Sequence, residues 1–159
     1  MSRERSEQRL RTPPAVSRVD TLASSILTLQ TDGEGFIDIT SETRAFVAEA
    51  RAMSGVVTLY LRHTSASLTI QENADPDVLH DLMTALRRLA PADAGWCHVT
   101  EGPDDMPAHV RTMLTATSLQ IPVIRGELML GIWQAVYVVE HRTAPHRREV
   151  ILQFVGEAG

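Results

Sequence analysis

The run HTSAS, starting at His63, is the stretch of this chain best suited to handling a proton or an anion. Histidine titrates near neutral pH, so His63 could serve as general acid or base, or bind a metal through a ring nitrogen. It could equally be satisfied by a backbone carbonyl at a strand end. Thr64, Ser65 and Ser67 offer hydroxyls that can hold phosphate oxygens. Further along the same stretch, Glu72, Asn73 and Asp75 lead into Pro76. A capping acid followed by proline starts a helix, and helix N-termini hold anions. Asn73 and Asp75 are therefore candidates for substrate or phosphate contacts, with turn and cap chemistry as the plainer alternative.

A second group lies downstream. His98 and His109 bracket the acid-rich segment TEGPDDMPA. Two histidines and several carboxylates in so short a span can hold a divalent cation, Mg²⁺ or Zn²⁺, although the spacing fits no established zinc motif. With His63 folded against them, His63, His98 and His109 would form a three-histidine metal set. Gln134 and Glu140 fall on one face of a mostly apolar run, so each needs a polar partner if that face is core. Arg147 or Arg148, across the turn at 143–146, is the ready partner for Glu140. A catalytic role for Glu140 is the alternative.

The elements that must position these groups follow from periodicity. Residues 21–31 and 36–39 have strand composition and are separated by the turn DGEG. Thr40 or Ser41 caps a helix that stops near Gly55. Residues 56–63 alternate, with Val57, Leu59 and Leu61 on one face and His63 at its end. Residues 66–71 form the next strand. From Pro76 a helix carries Val78, Leu79, Leu82, Met83, Leu86 and Leu89 on one stripe and ends by Pro91. Pro107 opens a third helix, to about residue 115. Residues 118–124, a long run at 128–140 that Gly131 bends, and 149–155 are strands. The expected class is α+β, with a mainly antiparallel sheet or two-sheet β-sandwich covered by two or three helices.

Composition narrows the function classes. The 159 residues fit one domain, 19–159, after a charged, Pro-containing arm at 1–18. The net charge of −5 argues against a general nucleic-acid footprint. All 15 basic residues are arginine, the side chain suited to bidentate carboxylate or phosphate contacts. The single Cys97 excludes an internal disulfide and a CxxC metal site. No apolar run is long enough for a membrane span, and a cytoplasmic location is the expectation.

The segments HTSASLTIQENADPDV, EGPDDMPAHV, SLQIPVIRGELMLGIWQ and VVEH, with Arg147-Arg148, occur in an order that resembles the YjbQ family over residues 20–157. The resemblance implies a compact α+β fold with a β-sandwich core, a homotrimer, polar residues near subunit contacts and a bound metal. It also implies the activity of secondary thiamine-phosphate synthases. These join hydroxymethylpyrimidine diphosphate to hydroxyethylthiazole phosphate, giving thiamine phosphate and pyrophosphate. The alternatives are metal-dependent hydrolysis of a phosphorylated metabolite and non-catalytic binding of a small anionic ligand. Residue by residue, the resemblance marks His63, His109 and Glu140 as catalytic. Thr64, Ser65, Asn73, Asp75, Gln134 and Arg148 are marked as contacts to a small phosphorylated metabolite. Two features depart from the pattern. Ile132 stands where the family usually has threonine, and the turn at 143–146 lacks a glycine common there.

Overall fold

The protein is described by a computed structural model that covers residues 10–159. Of the arm expected at 1–18, residues 1–9 lie outside the described residues. Residues 10–20 carry no helix or strand and are exposed. The elements run β1 (Thr21–Thr31), β2 (Gly35–Asp38), α1 (Thr40–Glu49), β3 (Ala52–Leu61), β4 (Ala66–Glu72), α2 (Pro76–Leu89), α3 (Asp105–Leu114), β5 (Ser118–Ile124), β6 (Glu127–Leu128), β7 (Gln134–Glu140) and β8 (His146–Ala158). The class is α+β. The strands form a five-stranded sheet, β1-β8-β3-β5-β6, and a three-stranded sheet, β2-β7-β4. The pairs β1–β8, β3–β8, β3–β5, β5–β6, β2–β7 and β4–β7 are all antiparallel. Among the described residues, no helix is long and apolar enough to cross a membrane.

Alternation decides which face of each strand is buried. Val57, Leu59 and Leu61 of β3 join Val150, Leu152 and Phe154 of β8, and Leu68, Val136 and Val138 of the smaller sheet, in one apolar core. Phe46 and Val47 of α1 belong to that core as well. Helix α2 begins as the sequence predicts, with the Asp75 carboxylate accepting from the Asp77 N–H at 2.9 Å and Pro76 in the first turn. Glu34, in the β1–β2 turn, accepts from Arg87 of α2 and Arg111 of α3, tying both helices to one point. On the other face of the larger sheet Leu22, Ile26, Tyr60 and Val155 are exposed.

Several boundaries differ from the pattern reading. Neither Thr40 nor Ser41 caps α1: Ile39 holds the cap position, and the Thr40 hydroxyl accepts instead from the Val136 N–H at 2.8 Å. That helix ends at Glu49, so β3 starts at Ala52 and closes at Leu61, before His63. Residues 128–140 are not one strand: β6 and β7 are separated by a turn in which Gly131 N–H donates to Gln134 Oε1 and Gln134 N–H to Gly131 O. Helix α3 starts at Asp105 instead of Pro107, because proline is tolerated anywhere in a first turn whose N–H groups have no intrahelical partner. Strand β8 extends well past 149–155, since β1 pairs with it from His146 to Gly156 and β3 reaches Ala158. Such pairing is invisible in local composition.

The two sheets are joined at one end by a buried ion pair. Glu140 on β7 is fully buried and Arg148 on β8 nearly so. Arg148 Nε donates to Glu140 Oε2 and Nη2 to Oε1, both at 2.7 Å. Thr31 Oγ1 donates to Oε2 at 2.8 Å, and Arg142 N–H to Oε1 at 3.0 Å. Burial raises the Glu140 carboxyl, but these donors outweigh it and hold the group below its ordinary value. Its stabilising contribution is therefore complete above the ordinary carboxylate range and is lost as pH falls through the lowered value. Removing one partner leaves a buried charge alone, so Arg148→Met is expected to cost about 3–5 kcal/mol. Pairing it with Glu140→Leu should recover most of that loss. Urea midpoints of the single and double variants check both expectations.

Candidate functional site

The site lies at the end of the sheets where β3 leaves for β4. Arg148 Nη2 donates to Ser65 Oγ at 2.9 Å and to Ser65 O at 3.3 Å, which fixes the connection between those strands. His63 is half-buried, and its Nε2 accepts from the Glu149 N–H at 3.0 Å. Burial first, and then the charge of Arg148, keep the ring below its ordinary pKa. Tyr60, Arg62, His63, Thr64, Thr117 and Arg148 are among the residues lining an open cavity of about 640 Å³ there.

Beside this cavity, α3 and the loop before it bring three donors together. His98 Nε2 stands 2.8 Å and His109 Nε2 3.2 Å from the same oxygen, Asp105 Oδ2. Among the described residues, this is the group of three whose ligand atoms all lie within 4.8 Å of one another. Asp105 opens α3 and His109 follows one turn later, so helix geometry alone puts them on one face. The second oxygen of Asp105 accepts from Arg142 Nη1 at 2.6 Å. Burial raises the Asp105 carboxyl, but the His98 contact and the Arg142 charge hold it below its ordinary value. Arg142 is itself anchored by Asp104, which also accepts from the Thr143 N–H at 2.8 Å. Burial opposes ionisation of Asp104, yet these donors bring its pKa to about 2.

The hydrogen bonds constrain how His109 is protonated. Thr64 O can only accept, so His109 Nδ1, at 3.0 Å, must donate to it. In the neutral ring Nε2 is then a bare lone pair, facing a carboxylate oxygen that is also a lone-pair donor. A proton on Nε2, or a cation between the two groups, relieves that opposition. A backbone carbonyl holding the far nitrogen is the usual support of a metal-ligating histidine. Two imidazoles with one carboxylate suit Zn²⁺ better than Mg²⁺.

The three-histidine metal set is corrected by this arrangement. His63 is not in the cluster, and its Nε2 is already occupied by the Glu149 N–H. Asp105, not singled out by sequence reasoning, is the third member. Its i,i+4 spacing to His109 was the signal that could have found it. Glu140 also differs from the catalytic expectation: every oxygen is engaged and the residue is sealed from solvent, so its place is to hold Arg148. Asn73, Asp75 and Gln134 lie elsewhere. The register of β4 on β7 runs from Ala66↔Glu140 to Glu72↔Gln134, which separates the two ends by about 20 Å at the usual rise per residue. Asn73 and Gln134 line a different cavity of about 350 Å³ with Asp38, Ser41 and Arg44. Asp75 is an exposed N-cap. Ile132, at the family's threonine position, is 83% exposed in the turn before β7.

The chain matches the family model described as UPF0047 protein YjbQ-like over residues 25–157. It belongs to the UPF0047/YjbQ family. The UPF0047 protein sll1880 of Synechocystis is 50% identical over 133 residues, covering 83% of this chain and 90% of that protein. The UPF0047 protein YjbQ of Escherichia coli O157:H7 is 39% identical over 82% of this chain and 96% of its own length. Among solved structures, an uncharacterized yjbq/upf0047 family protein from Clostridium acetobutylicum superposes with a TM-score of 0.77 at 34% identity, covering 82% and 98% of the two chains. A hypothetical protein from Aeropyrum pernix gives 0.79 at 26% identity, covering 85% and 99%. These likenesses fix the family and the fold.

One further buried group bears on the pH range of the site. His141 is fully buried, with Nε2 2.8 Å from Ser67 Oγ and Nδ1 without a partner. Burial, with Arg111 nearby, lowers its pKa to about 4. The unfolded chain therefore binds a proton here between pH 6.5 and 4 that the folded chain refuses, so stability rises with pH across that window. His141 should contribute about 3 kcal/mol to the loss between pH 7 and 4. Urea unfolding at both pH values, in the wild type and in His141→Asn, checks this. The variant is expected to show the shallower pH dependence.

Proposed function

We propose that this protein is a metal-assisted enzyme acting on a small phosphorylated metabolite. Its cation is held by His98, Asp105 and His109, and its substrate lies in the adjoining cavity beside Arg62, His63, Thr64 and Arg148. The convergence of two imidazole nitrogens on the Asp105 carboxylate, with His109 and Asp105 each braced from behind, carries this reading. Thiamine-phosphate synthesis, the reaction that the family resemblance implies, belongs to this class. Its leaving pyrophosphate develops negative charge that must be neutralised.

A bound divalent cation supplies Lewis-acid stabilisation of that charge. The protein's own groups do the remainder. Thr64 and Ser65 hydroxyls and the Arg148 guanidinium orient phosphate oxygens. Thr64 O keeps His109 turned toward Asp105, and Arg142 keeps Asp105 in register. Asn73, Asp75 and Gln134, at the far end of β4 and β7, cannot reach the same substrate within one protomer. A homotrimer is the assembly we propose, and the exposed apolar side of the larger sheet supports self-association.

The test is metal content followed by turnover. Protein supplied with Zn²⁺ should retain about one equivalent after dialysis, measured by elemental analysis. Asp105→Asn and His109→Ala should lose it and lose at least about a hundredfold in kcat/KM for thiamine phosphate formation. Unchanged turnover in both variants would overturn the reading. Substitution of Arg142 by glutamine should weaken metal retention about 10- to 100-fold while leaving the fold intact, since Arg142 acts only behind the ligand. Light scattering should give a particle of three times the 17.5 kDa chain mass.

A further inference from the structure

The cavity beside the cation cluster contains two donors that the fold leaves without partners. Arg148 is only 3% exposed, and its Nε and Nη2 are spent on Glu140 and Ser65. Nη1 has no hydrogen-bond partner among the described residues. Yet it is not one of the sealed, unpartnered atoms, which there are Arg111 Nε and His141 Nδ1 alone. It therefore keeps some accessible surface, and Arg148 is among the residues that line the cavity.

His63 offers the second donor. An amide N–H can only donate, so the Glu149 N–H at 3.0 Å requires a lone pair on His63 Nε2. The neutral ring must then carry its proton on Nδ1. That N–H has no partner among the described residues and is not sealed either. Protonating the ring would set an Nε2–H against the Glu149 N–H, so the neutral form is held by geometry. Arg148, Glu149, Glu140 and Arg62 are the charged groups around it.

We propose that His63 Nδ1–H and Arg148 Nη1 form a preorganised oxyanion site, built for a tetrahedral dianion of the phosphate type. His63 serves there as a permanently neutral donor, not as a base or metal ligand. The side chains lining the cavity favour this ligand. Arg62, Thr64, Ser65 and Thr117 add donors, and no carboxylate side chain is among the lining residues. The charge of Arg148 is already balanced by Glu140, so the site recognises its ligand chiefly by directed hydrogen bonds. The oxyanion site deepens the proposed function by naming the group bound, but it does not depend on the cation.

The test therefore uses chelator-treated protein with inorganic sulfate, a dianion that does not titrate near neutral pH, and inorganic phosphate alongside it. Glutamine places its terminal atoms near the Nε2 position of histidine, and asparagine places its own near Nδ1. His63→Gln keeps the acceptor for Glu149 and loses the donor. His63→Asn keeps the donor. By calorimetry, His63→Gln is expected to weaken sulfate binding about tenfold, and His63→Asn to remain within about threefold of the wild type. Any pH slope of sulfate affinity between about pH 8 and 5.5, the range in which an ordinary histidine titrates, should be the same in the wild type and His63→Gln. Long-range proton–nitrogen spectra near neutral pH should show His63 as the Nδ1–H tautomer. An Nε2–H tautomer, equal sulfate affinity in His63→Gln, or a pH slope abolished by that substitution would overturn the proposal. Asp105→Asn in the same assay should bind sulfate normally. If metal retention fails while sulfate binding holds, the cation reading falls and the oxyanion site stands; the reverse result separates them the other way.

Discussion

The Glu140–Arg148 pair is the constraint on which this end of the molecule depends. A carboxylate sealed from water needs every oxygen engaged, and Glu140 meets that need with donors from Arg148, Thr31 and the backbone of Arg142. Those donors come from β8, β1 and the segment after β7, so satisfying one charge joins both sheets. The guanidinium also acts beyond the pair. Through Nη2 it fixes Ser65, and with it the connection that carries His63 and Thr64. Two buried charges bring desolvation costs that an apolar pair would avoid. What the pair gives in return is a guanidinium whose plane is fixed and whose remaining edge faces the cavity.

Bracing of the same kind recurs around the cluster on α3. Asp104 holds Arg142, Arg142 holds Asp105, and Asp105 meets His98 and His109. His109 is held from its other side by Thr64 O. The stretch following β3 thus touches both halves: Ser65 is set by Arg148, and Thr64 sets His109. The cavity and the cluster are neighbours because one short connection is hydrogen-bonded to each. Side chains placed this way lose little freedom when a ligand arrives, which is the physical meaning of preorganisation.

The far end of β4 and β7 is different in character. Gln134 turns back on Gly131, Asp75 caps α2, and Asn73 N–H pairs with Trp133 O. The first two are local devices that shape a turn and start a helix, and the third carries the pairing of β4 with β7 one step further. Ile132 and Trp133 stand exposed in that turn, at 83% and 61%.

Much of the fold was legible in the sequence because it is written in local periodicity. The alternation of Val57, Leu59 and Leu61, the stripe on α2 and the Asp75-Pro76 start each depend on neighbours a few residues away. A partner for the acid at 140 among the arginines at 147 and 148 was legible too, since a polar residue on an apolar strand face demands one; the structure chose Arg148. The sequence by itself therefore determined the class, the start of α2 and which groups had chemistry to offer. Tertiary structure decided which of them meet. Register on β7 put Gln134 and Glu140 at opposite ends of one strand, so a set of polar residues divided into two places. A helix turn brought Asp105 to His109, and a loop brought His98 to both, while a single backbone N–H took the ring nitrogen that His63 would have offered to a metal. Local pattern records what a side chain can do; only the paths of the other strands record which of its atoms are left to do it.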